Sequence, residues 1–350
     1  MTPSRIILCP GQGAQAVGMG KAWYDASPEA RAVFDAADRT LAGKLPHGAR
    51  LSELCFSGPV ETLNRTDVSQ PAIYTCSVAC WRGLLARWRA GSLDEAGIMA
   101  TLGLSLGEYT ALHLAGAFTF EAGLELVALR GKYMQEAAEA ASGGSGMVAL
   151  IGADEAGAEQ VCDKARQGSE VLVVANLNAP GQVVISGSKS ACDRVCAPDG
   201  PAAAAGFRAT PLPVAGAFHS PLMAPAAERL KAALARTQFE APRATVVSNV
   251  TARPHAGSGG GMGGAASGGQ TAQISEQIRA RLVEQLTEPV RWAESCLWIA
   301  SGVWGSGTYV AGQAGGGAEY HELAPGKTLA GLMRRIEKGV RVATHDGPND

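Results

Sequence analysis

One serine of this sequence lies in a pattern that is typical of a reactive nucleophile. Residues 103–107 read Gly-Leu-Ser-Leu-Gly, after an apolar run and before a helical pattern. In this G-x-S-x-G context, a sharp turn from strand to helix exposes the serine hydroxyl at the end of a sheet. Glycine tolerates the strained turn, and the first N–H groups of the helix can stabilise an oxyanion. We predict that Ser105 is a nucleophile; the alternative is an ordinary Gly-Ser turn.

A serine nucleophile needs a base, and the chain has six histidines. His219 follows a strand predicted at 208–214 and precedes a helix predicted to begin at Pro221. The sites of open α/β sheets assemble at such return points, so His219 is the first candidate and His321 the second. Three other histidines are expected to point away from the site or to lie in mobile segments: His113, His255 and His345.

The elements that position these residues are predicted to form an α/β fold. Short apolar runs predict buried strands at 6–9, 98–102 and 244–249, with helical periodicity between them. From 147 to 214 the predicted order is strand, helix, strand, strand, helix, strand, which is a ferredoxin-like unit of about 70 residues. We therefore predict an α/β-hydrolase-like large domain with a parallel sheet core and an inserted ferredoxin-like small domain.

The predicted domain boundaries follow from that change of pattern. The large domain comprises 1–143 and 216–341, the inserted domain comprises 144–215, and 342–350 is expected to be a flexible tail. Two glycine-rich stretches contain too few apolar residues to pack and are predicted to be flexible surface insertions. They are 255–269 and 305–317.

The composition of the 350 residues argues against several classes of protein. The net charge is −2 and no basic run is present, so nucleic acid is not an expected partner. The eight cysteines form no C-x-x-C pair, and no metal site is expected. No apolar run approaches the roughly 18 residues that span a bilayer, and the first residues lack the pattern of a signal peptide. We therefore expect a soluble, cytoplasmic protein with no membrane partner.

Three classes of function remain open on these residues alone. A lipase- or esterase-like hydrolase would use the same turn with a late histidine such as His321, but no clear acid lies at a strand end. A nucleotide-binding oxidoreductase is suggested by residues 11–16, which satisfy G-x-G-x-x-A. However, residues 21–42 read as helix where that fold needs a second strand. A non-catalytic acyl-binding protein is the third interpretation, and it is favoured if Ser105 has no base.

The order of several longer motifs distinguishes between these classes. The sequence contains GQGAQ at 11–15, GLSLGEY at 103–109, LRGKYMQ at 129–135, NAPGQVV at 178–184 and AFHSPLM at 217–223, with PVRW and PGK following. From residue 6 to residue 336, apart from the two glycine-rich stretches, the chain resembles the malonyl-CoA:acyl carrier protein transacylases of type II fatty-acid synthesis. The resemblance implies transfer of a malonyl group through a serine ester, with no bound cofactor. A polyketide-type acyltransferase with a different acyl preference is the alternative.

The resemblance also implies roles for individual residues. Ser105 matches the acylated serine and His219 its base. Gln285 matches the residue whose backbone carbonyl holds that base and fixes its tautomer. Gln12 and Leu106 match the residues whose backbone N–H groups form the oxyanion hole. These five residues form the expected catalytic set.

Substrate binding is implied in the same way. Arg130 matches the arginine that holds the malonyl carboxylate, and its planar guanidinium suits that group. Other positions match the pocket or the acyl and pantetheine path, although core packing and strand ends explain them equally well. They are Gln70, Met134, Asn176, Asn178 and Gln182. Phe218 is expected to crowd a branched acyl group. Leu104 replaces the histidine that most relatives have before the serine, and we expect activity to survive this change.

The expected partners are malonyl-CoA and, transiently, an acyl carrier protein, and the expected oligomeric state is a monomer. Acyl carrier proteins are acidic, so a basic docking surface is expected. The most basic stretch of the chain is either this surface or a solvated helix face. It contains Lys327, Arg334, Arg335, Lys338 and Arg341.

Overall fold

The computed structural model describes residues 4–89, 96–255, 268–302 and 317–350. Within these ranges the strands are β1 (Arg5–Cys9), β2 (Ile98–Gly103), β3 (Ser145–Ile151), β4 (Leu172–Ala179), β5 (Gln182–Ser188), β6 (Arg208–Pro211), β7 (Thr245–Val246), β8 (Glu319–Leu323) and β9 (Val342–His345). The helices of the first half are α1 (Lys21–Ala26), α2 (Pro28–Thr40), α3 (Leu51–Ser57), α4 (Val60–Leu63), α5 (Thr66–Trp88), α6 (Gly107–Leu114) and α7 (Phe120–Ala140). Those of the second half are α8 (Glu155–Ala165), α9 (Lys189–Cys196), α10 (Pro201–Ala204), α11 (Ala224–Arg236), α12 (Gly268–Glu284), α13 (Trp292–Ala300) and α14 (Thr328–Ile336).

A parallel sheet forms the centre of the larger unit. Its strand order is β7-β2-β1-β8-β9, so β1 and β2 lie side by side in the middle. Both strands are apolar and buried, as expected for a parallel sheet covered by helices on its two faces. Their register pairs Cys9 with Gly103, so the loops that follow these two residues leave the same edge of the sheet. Ser105 lies in one of those loops and Gln12 in the other.

An antiparallel sheet forms the smaller unit. Its order is β4-β5-β3-β6, with α8 and α9 between its strands along the chain. This is the ferredoxin-like arrangement, and its own core includes Val148, Leu150 and Ile185. The predicted α/β fold class with two kinds of sheet is confirmed, while the residue boundaries of the two domains remain a prediction. Arg291 connects the units through an ion pair with Glu155, at 3.3 Å between nitrogen and oxygen.

Two long helices carry side chains to the strand ends. α5 is buried along most of its length, and α7 packs against it. Thr119 caps α7 as the sequence predicts, because its hydroxyl accepts from the backbone N–H of Ala122 at 3.2 Å. Gly131 permits the close packing, since a Cβ at this position would lie 2.5 Å from the carbonyl oxygen of Thr66. The helices thereby fix the positions of Gln70 on α5 and Arg130 on α7.

The prediction of a flexible tail over 342–350 is wrong for its first residues. Residues 342–345 form β9, which pairs in parallel with β8. His345 is buried, and its carbonyl oxygen accepts from the indole N–H of Trp23 at 2.9 Å. The glycine-rich stretches predicted as insertions lie almost entirely outside the described residues. No helix in the described ranges is long and apolar enough to cross a membrane.

Candidate active site

Ser105 occupies the sharp turn between β2 and α6. Its φ is +52°, a left-handed conformation that a side chain rarely adopts. A Cβ on Gly103 would lie 1.8 Å from the backbone of Gly107, and one on Gly107 would lie 2.1 Å from the carbonyl oxygen of Cys9. The two glycines are therefore required by close packing, which confirms the predicted turn. Asn249 stabilises the turn, because its Oδ1 accepts a hydrogen bond from the Ser105 N–H at 2.6 Å.

His219 lies beside the serine, as predicted. Its Nε2 is 2.8 Å from Ser105 Oγ, and its Nδ1 is 2.7 Å from the carbonyl oxygen of Gln285. A carbonyl can only accept, so the ring hydrogen is on Nδ1 and Nε2 is left to accept from the hydroxyl. Burial, and then the positive charge of Arg130, lower the pKa of His219 to about 4. The ring is therefore neutral at neutral pH, which is the state a base requires.

Arg130 is a buried cation next to Ser105. It is 1% exposed, and one terminal nitrogen donates to Ser105 Oγ at 3.1 Å and to Gln285 Oε1 at 3.1 Å. The other terminal nitrogen donates to Gln70 Oε1 at 2.8 Å. These acceptors are all neutral, and no acidic side chain of the described residues forms an ion pair with this guanidinium. Burial accordingly lowers the pKa of Arg130. A carboxylate brought in by a ligand would complete the pair.

Two backbone N–H groups at this edge are available to a ligand. Within the described ranges, the N–H groups of Gln12 and Leu106 donate to no protein oxygen. The two loops that carry them are in contact, because the N–H of Leu104 donates to the carbonyl oxygen of Cys9 at 3.1 Å. Gly11 allows this approach: a Cβ there would lie 2.3 Å from the carbonyl oxygen of Leu104. The arrangement suits an oxyanion formed at Ser105.

The remaining predicted residues divide into two groups. Gln70 and Met134 lie at the site, with Gln70 Nε2 3.3 Å from Met134 Sδ, and Phe218 is buried next to His219. The other three are on β4 and β5 and make no hydrogen bond to the catalytic set among the described residues: Asn176, Asn178 and Gln182.

His321, the second candidate for the base, lies elsewhere. Its Nδ1 is 2.9 Å from His345 Nε2, the two rings stack, and Trp88 packs against its edge. His321 therefore belongs to the β8–β9 packing, so the hydrolase interpretation that depended on it loses its base. The nucleotide-binding interpretation also fails, because the strand that follows β1 along the chain is β2, after five helices.

The sequence analysis missed three buried residues beside the serine turn: Glu108, Asn249 and His255. Glu108 is fully buried, and its carboxylate accepts from the backbone N–H of Asn249 at 3.0 Å and from Gln285 Nε2 at 2.6 Å. His255 was expected to be mobile; it is instead buried, with Nε2 2.7 Å from Glu108 Oε1. A charged residue directly after Gly107, on an otherwise apolar helix, was the available signal. Among the described residues, no group of three or more histidine, cysteine or acidic side chains could hold a metal.

Comparison with known proteins indicates the same family as the sequence motifs. The acyl transferase domain family matches residues 6–304. The malonyl CoA-acyl carrier protein transacylase of Bacillus subtilis (strain 168) is 36% identical over 345 residues, which are 98% of this chain and 93% of that protein. This chain belongs to the malonyl CoA-acyl carrier protein transacylase family of acyltransferases.

Solved structures of the family share the fold. The malonyl-CoA:acyl carrier protein transacylase from Xanthomonas oryzae pv. oryzae is 37% identical with a TM-score of 0.81, and the match covers 100% of this chain and 97% of that one. A malonyl-transacylase solved in complex with its type II PKS acyl-carrier protein is 33% identical with a TM-score of 0.80, covering 99% and 97%. The transacylase fold therefore extends over the whole described chain.

Proposed function

We propose that this acyltransferase moves a malonyl group from malonyl-CoA to the phosphopantetheine thiol of an acyl carrier protein, for fatty-acid synthesis. The observation that carries the proposal is the buried guanidinium of Arg130, 3.1 Å from Ser105 Oγ and bonded to neutral acceptors. A malonyl thioester has a carbonyl carbon for the serine and a free carboxylate for the guanidinium. An acetyl group lacks the carboxylate and gains nothing from Arg130.

The first half-reaction acylates the serine. Nε2 of His219 takes the hydroxyl proton as Ser105 Oγ bonds to the thioester carbon, and the carbonyl electron pair moves to oxygen. The N–H groups of Gln12 and Leu106 donate to this oxyanion, and each hydrogen bond should lower the activation free energy by about 3 to 4 kcal/mol. The C–S bond then breaks, sulfur keeps the electron pair, and His219 returns its proton to the leaving coenzyme A thiolate. A malonyl-serine ester and free coenzyme A result.

The second half-reaction reverses these steps with a different thiol. His219 takes the proton of the phosphopantetheine thiol, and the sulfur attacks the ester carbon of malonyl-Ser105. The C–O bond breaks, and His219 returns the proton to Ser105 Oγ. The thioester and the oxygen ester lie close in free energy, so the exchange is reversible. None of the proposed steps requires a bound cofactor. We further propose that the reaction takes place in the cytoplasm, which the eight free cysteine thiols support.

The acyl carrier protein is proposed to dock beside α14. Arg335 on this helix donates to Gln182 Oε1 at 2.6 Å and to the carbonyl oxygen of Pro180 at 3.1 Å, so it holds the β4–β5 turn. Arg334 and Lys338 lie nearby and are exposed, which makes them available to an acidic partner. A related malonyl-transacylase has been solved with its acyl-carrier protein, which supports such a complex for this chain.

The proposal is tested by transfer to a purified acyl carrier protein. With labelled malonyl-CoA, we expect label to appear on the phosphopantetheine thiol of the holo-protein and to be absent from the apo-protein, which lacks the thiol. Acetyl-CoA under the same conditions should transfer far more slowly. Hydrolysis of acyl-CoA without transfer to the carrier protein would support the hydrolase alternative, and equal use of branched acyl-CoA would support a different acyl preference.

A further inference from the structure

We infer that the side-chain amide of Gln285, oriented by the buried carboxylate of Glu108, positions Arg130 and sets the preference for acyl groups that carry a carboxylate. The inference rests on the proposed malonyl transfer. It concerns the side chain of Gln285, whose role is separate from that of its backbone carbonyl on His219. Both residues act through Arg130 and are positioning residues.

The contacts of the Gln285 amide define one orientation. Its Nε2 donates to Glu108 Oε2 at 2.6 Å and to the carbonyl oxygen of Ser105 at 3.1 Å, and its Oε1 accepts from Arg130 at 3.1 Å. Rotating the amide by half a turn would place the NH2 group against the guanidinium and the oxygen against the carboxylate. Both contacts would then be repulsive, because donor would face donor and acceptor would face acceptor. The observed orientation is therefore the one that the charges on its two sides select.

Glu108 is held firmly enough to impose this orientation. It is fully buried, and three donors from two segments of the chain converge on its carboxylate: Gln285 Nε2, the Asn249 N–H at 3.0 Å and His255 Nε2 at 2.7 Å. An ionised carboxylate only accepts, so each donor finds an acceptor when the ring hydrogen of His255 is on Nε2. A fixed negative charge thus lies one amide group away from the Arg130 cation.

The guanidinium of Arg130 is therefore held in one orientation, and its positive charge remains available to a ligand. Gln285 Oε1 and Gln70 Oε1 hold its two terminal nitrogens at 3.1 and 2.8 Å. A direct ion pair with Glu108 would neutralise the arginine, whereas the intervening amide keeps the carboxylate from contacting it. Arg130 can then form its ion pair with the carboxylate of the acyl group. This geometry therefore affects the transfer of acyl groups that carry a carboxylate and does not affect the transfer of an acetyl group.

Two substitutions test the inference through the ratio of malonyl to acetyl transfer. Gln285→Met keeps the backbone carbonyl that holds His219 and removes the amide; Glu108→Gln keeps an acceptor and removes the charge. We expect the ratio of kcat/KM for malonyl-CoA over acetyl-CoA to fall about 10- to 100-fold in Gln285→Met, the value of one hydrogen bond to a charged group. In Glu108→Gln it should fall in the same direction by a smaller factor. Gln238→Met is the control, because this exposed glutamine bonds to Glu240 and is remote from Ser105.

The outcomes separate the inference from the proposed function. A wild-type protein that does not transfer malonyl would overturn the proposed function itself. An active wild type with variants that lose malonyl and acetyl transfer equally would show a merely structural role and overturn the inference. If Gln285→Met does not fold, as judged by its thermal unfolding, Glu108→Gln decides: a lower ratio supports the inference and an unchanged ratio contradicts it.

Discussion

Replacing Arg130 with methionine removes the buried cation while keeping most of the side-chain volume. The carboxylate of a malonyl group can form two charge-assisted hydrogen bonds with the guanidinium. At about 1.5 to 3 kcal/mol each, the pair is worth about 3 to 6 kcal/mol. Loss of this energy should lower kcat/KM for malonyl-CoA by about 150- to 20,000-fold. Acetyl-CoA makes no such bonds, so its transfer should change by less than about tenfold.

The assay compares the two acyl-CoA substrates at equal carrier-protein concentration in wild type and in Arg130→Met. Arg279→Met is the control, because it also removes a guanidinium, one that donates to the carbonyl oxygens of Leu234 and Thr237 at 3.0 Å each and pairs with Glu276 at 3.8 Å. Thermal unfolding confirms that each variant is folded. Equal reduction of malonyl and acetyl transfer in Arg130→Met, or a changed ratio in Arg279→Met, would contradict the proposed role of the guanidinium.

Three further predictions follow from the geometry. Because burial and Arg130 lower the pKa of His219 to about 4, this base should become protonated and inactive only in acid. We therefore expect kcat/KM for acylation to be constant from pH 7 to about 5 and to fall to half near pH 4. A fall to half near pH 6.5 would contradict the buried environment of the imidazole. Gly11→Ala places a Cβ 2.3 Å from the Leu104 carbonyl oxygen; urea unfolding should show a loss of about 1 to 3 kcal/mol, and Gly146→Ala, with open space at its Cβ, should show far less. Arg334→Glu with Lys338→Glu should raise KM for the acyl carrier protein and leave KM for malonyl-CoA unchanged; an unaltered carrier-protein KM would remove α14 as the docking surface.

The contact between Ser105 and His219 could be predicted because each residue lies in a short segment with a strong local signal. The glycines around Ser105 predict a sharp turn from strand to helix, and His219 lies two residues before Pro221, where a short 3-10 helix (Pro221–Met223) leads into α11. The strands β1 and β2 were equally accessible, since each is a short apolar run. In all these cases, the residues that define the feature are neighbours in sequence.

The features that were missed depend on contacts between distant residues. Glu108 is separated by 141 positions from Asn249 and by 177 from Gln285, so no local pattern shows that its charge is satisfied. β8 mixes charged residues with apolar ones, and its Glu322 is buried because it accepts from the N–H groups of Leu329 and Ala330 at the start of α14. Burial raises the pKa of Glu322 to about 7. Polar residues of this kind become core residues through tertiary contacts alone.

The most direct test of the proposed serine ester is to identify the acylated residue. The protein is incubated with malonyl-CoA in the absence of carrier protein, quenched in acid and digested, and the peptides are sequenced by mass spectrometry. We expect a malonyl ester on Ser105, its discharge when holo acyl carrier protein is added before the quench, and its failure to form in His219→Ala. A stable malonyl group on any other residue, or undiminished acylation in Ser105→Ala, would contradict the proposed mechanism.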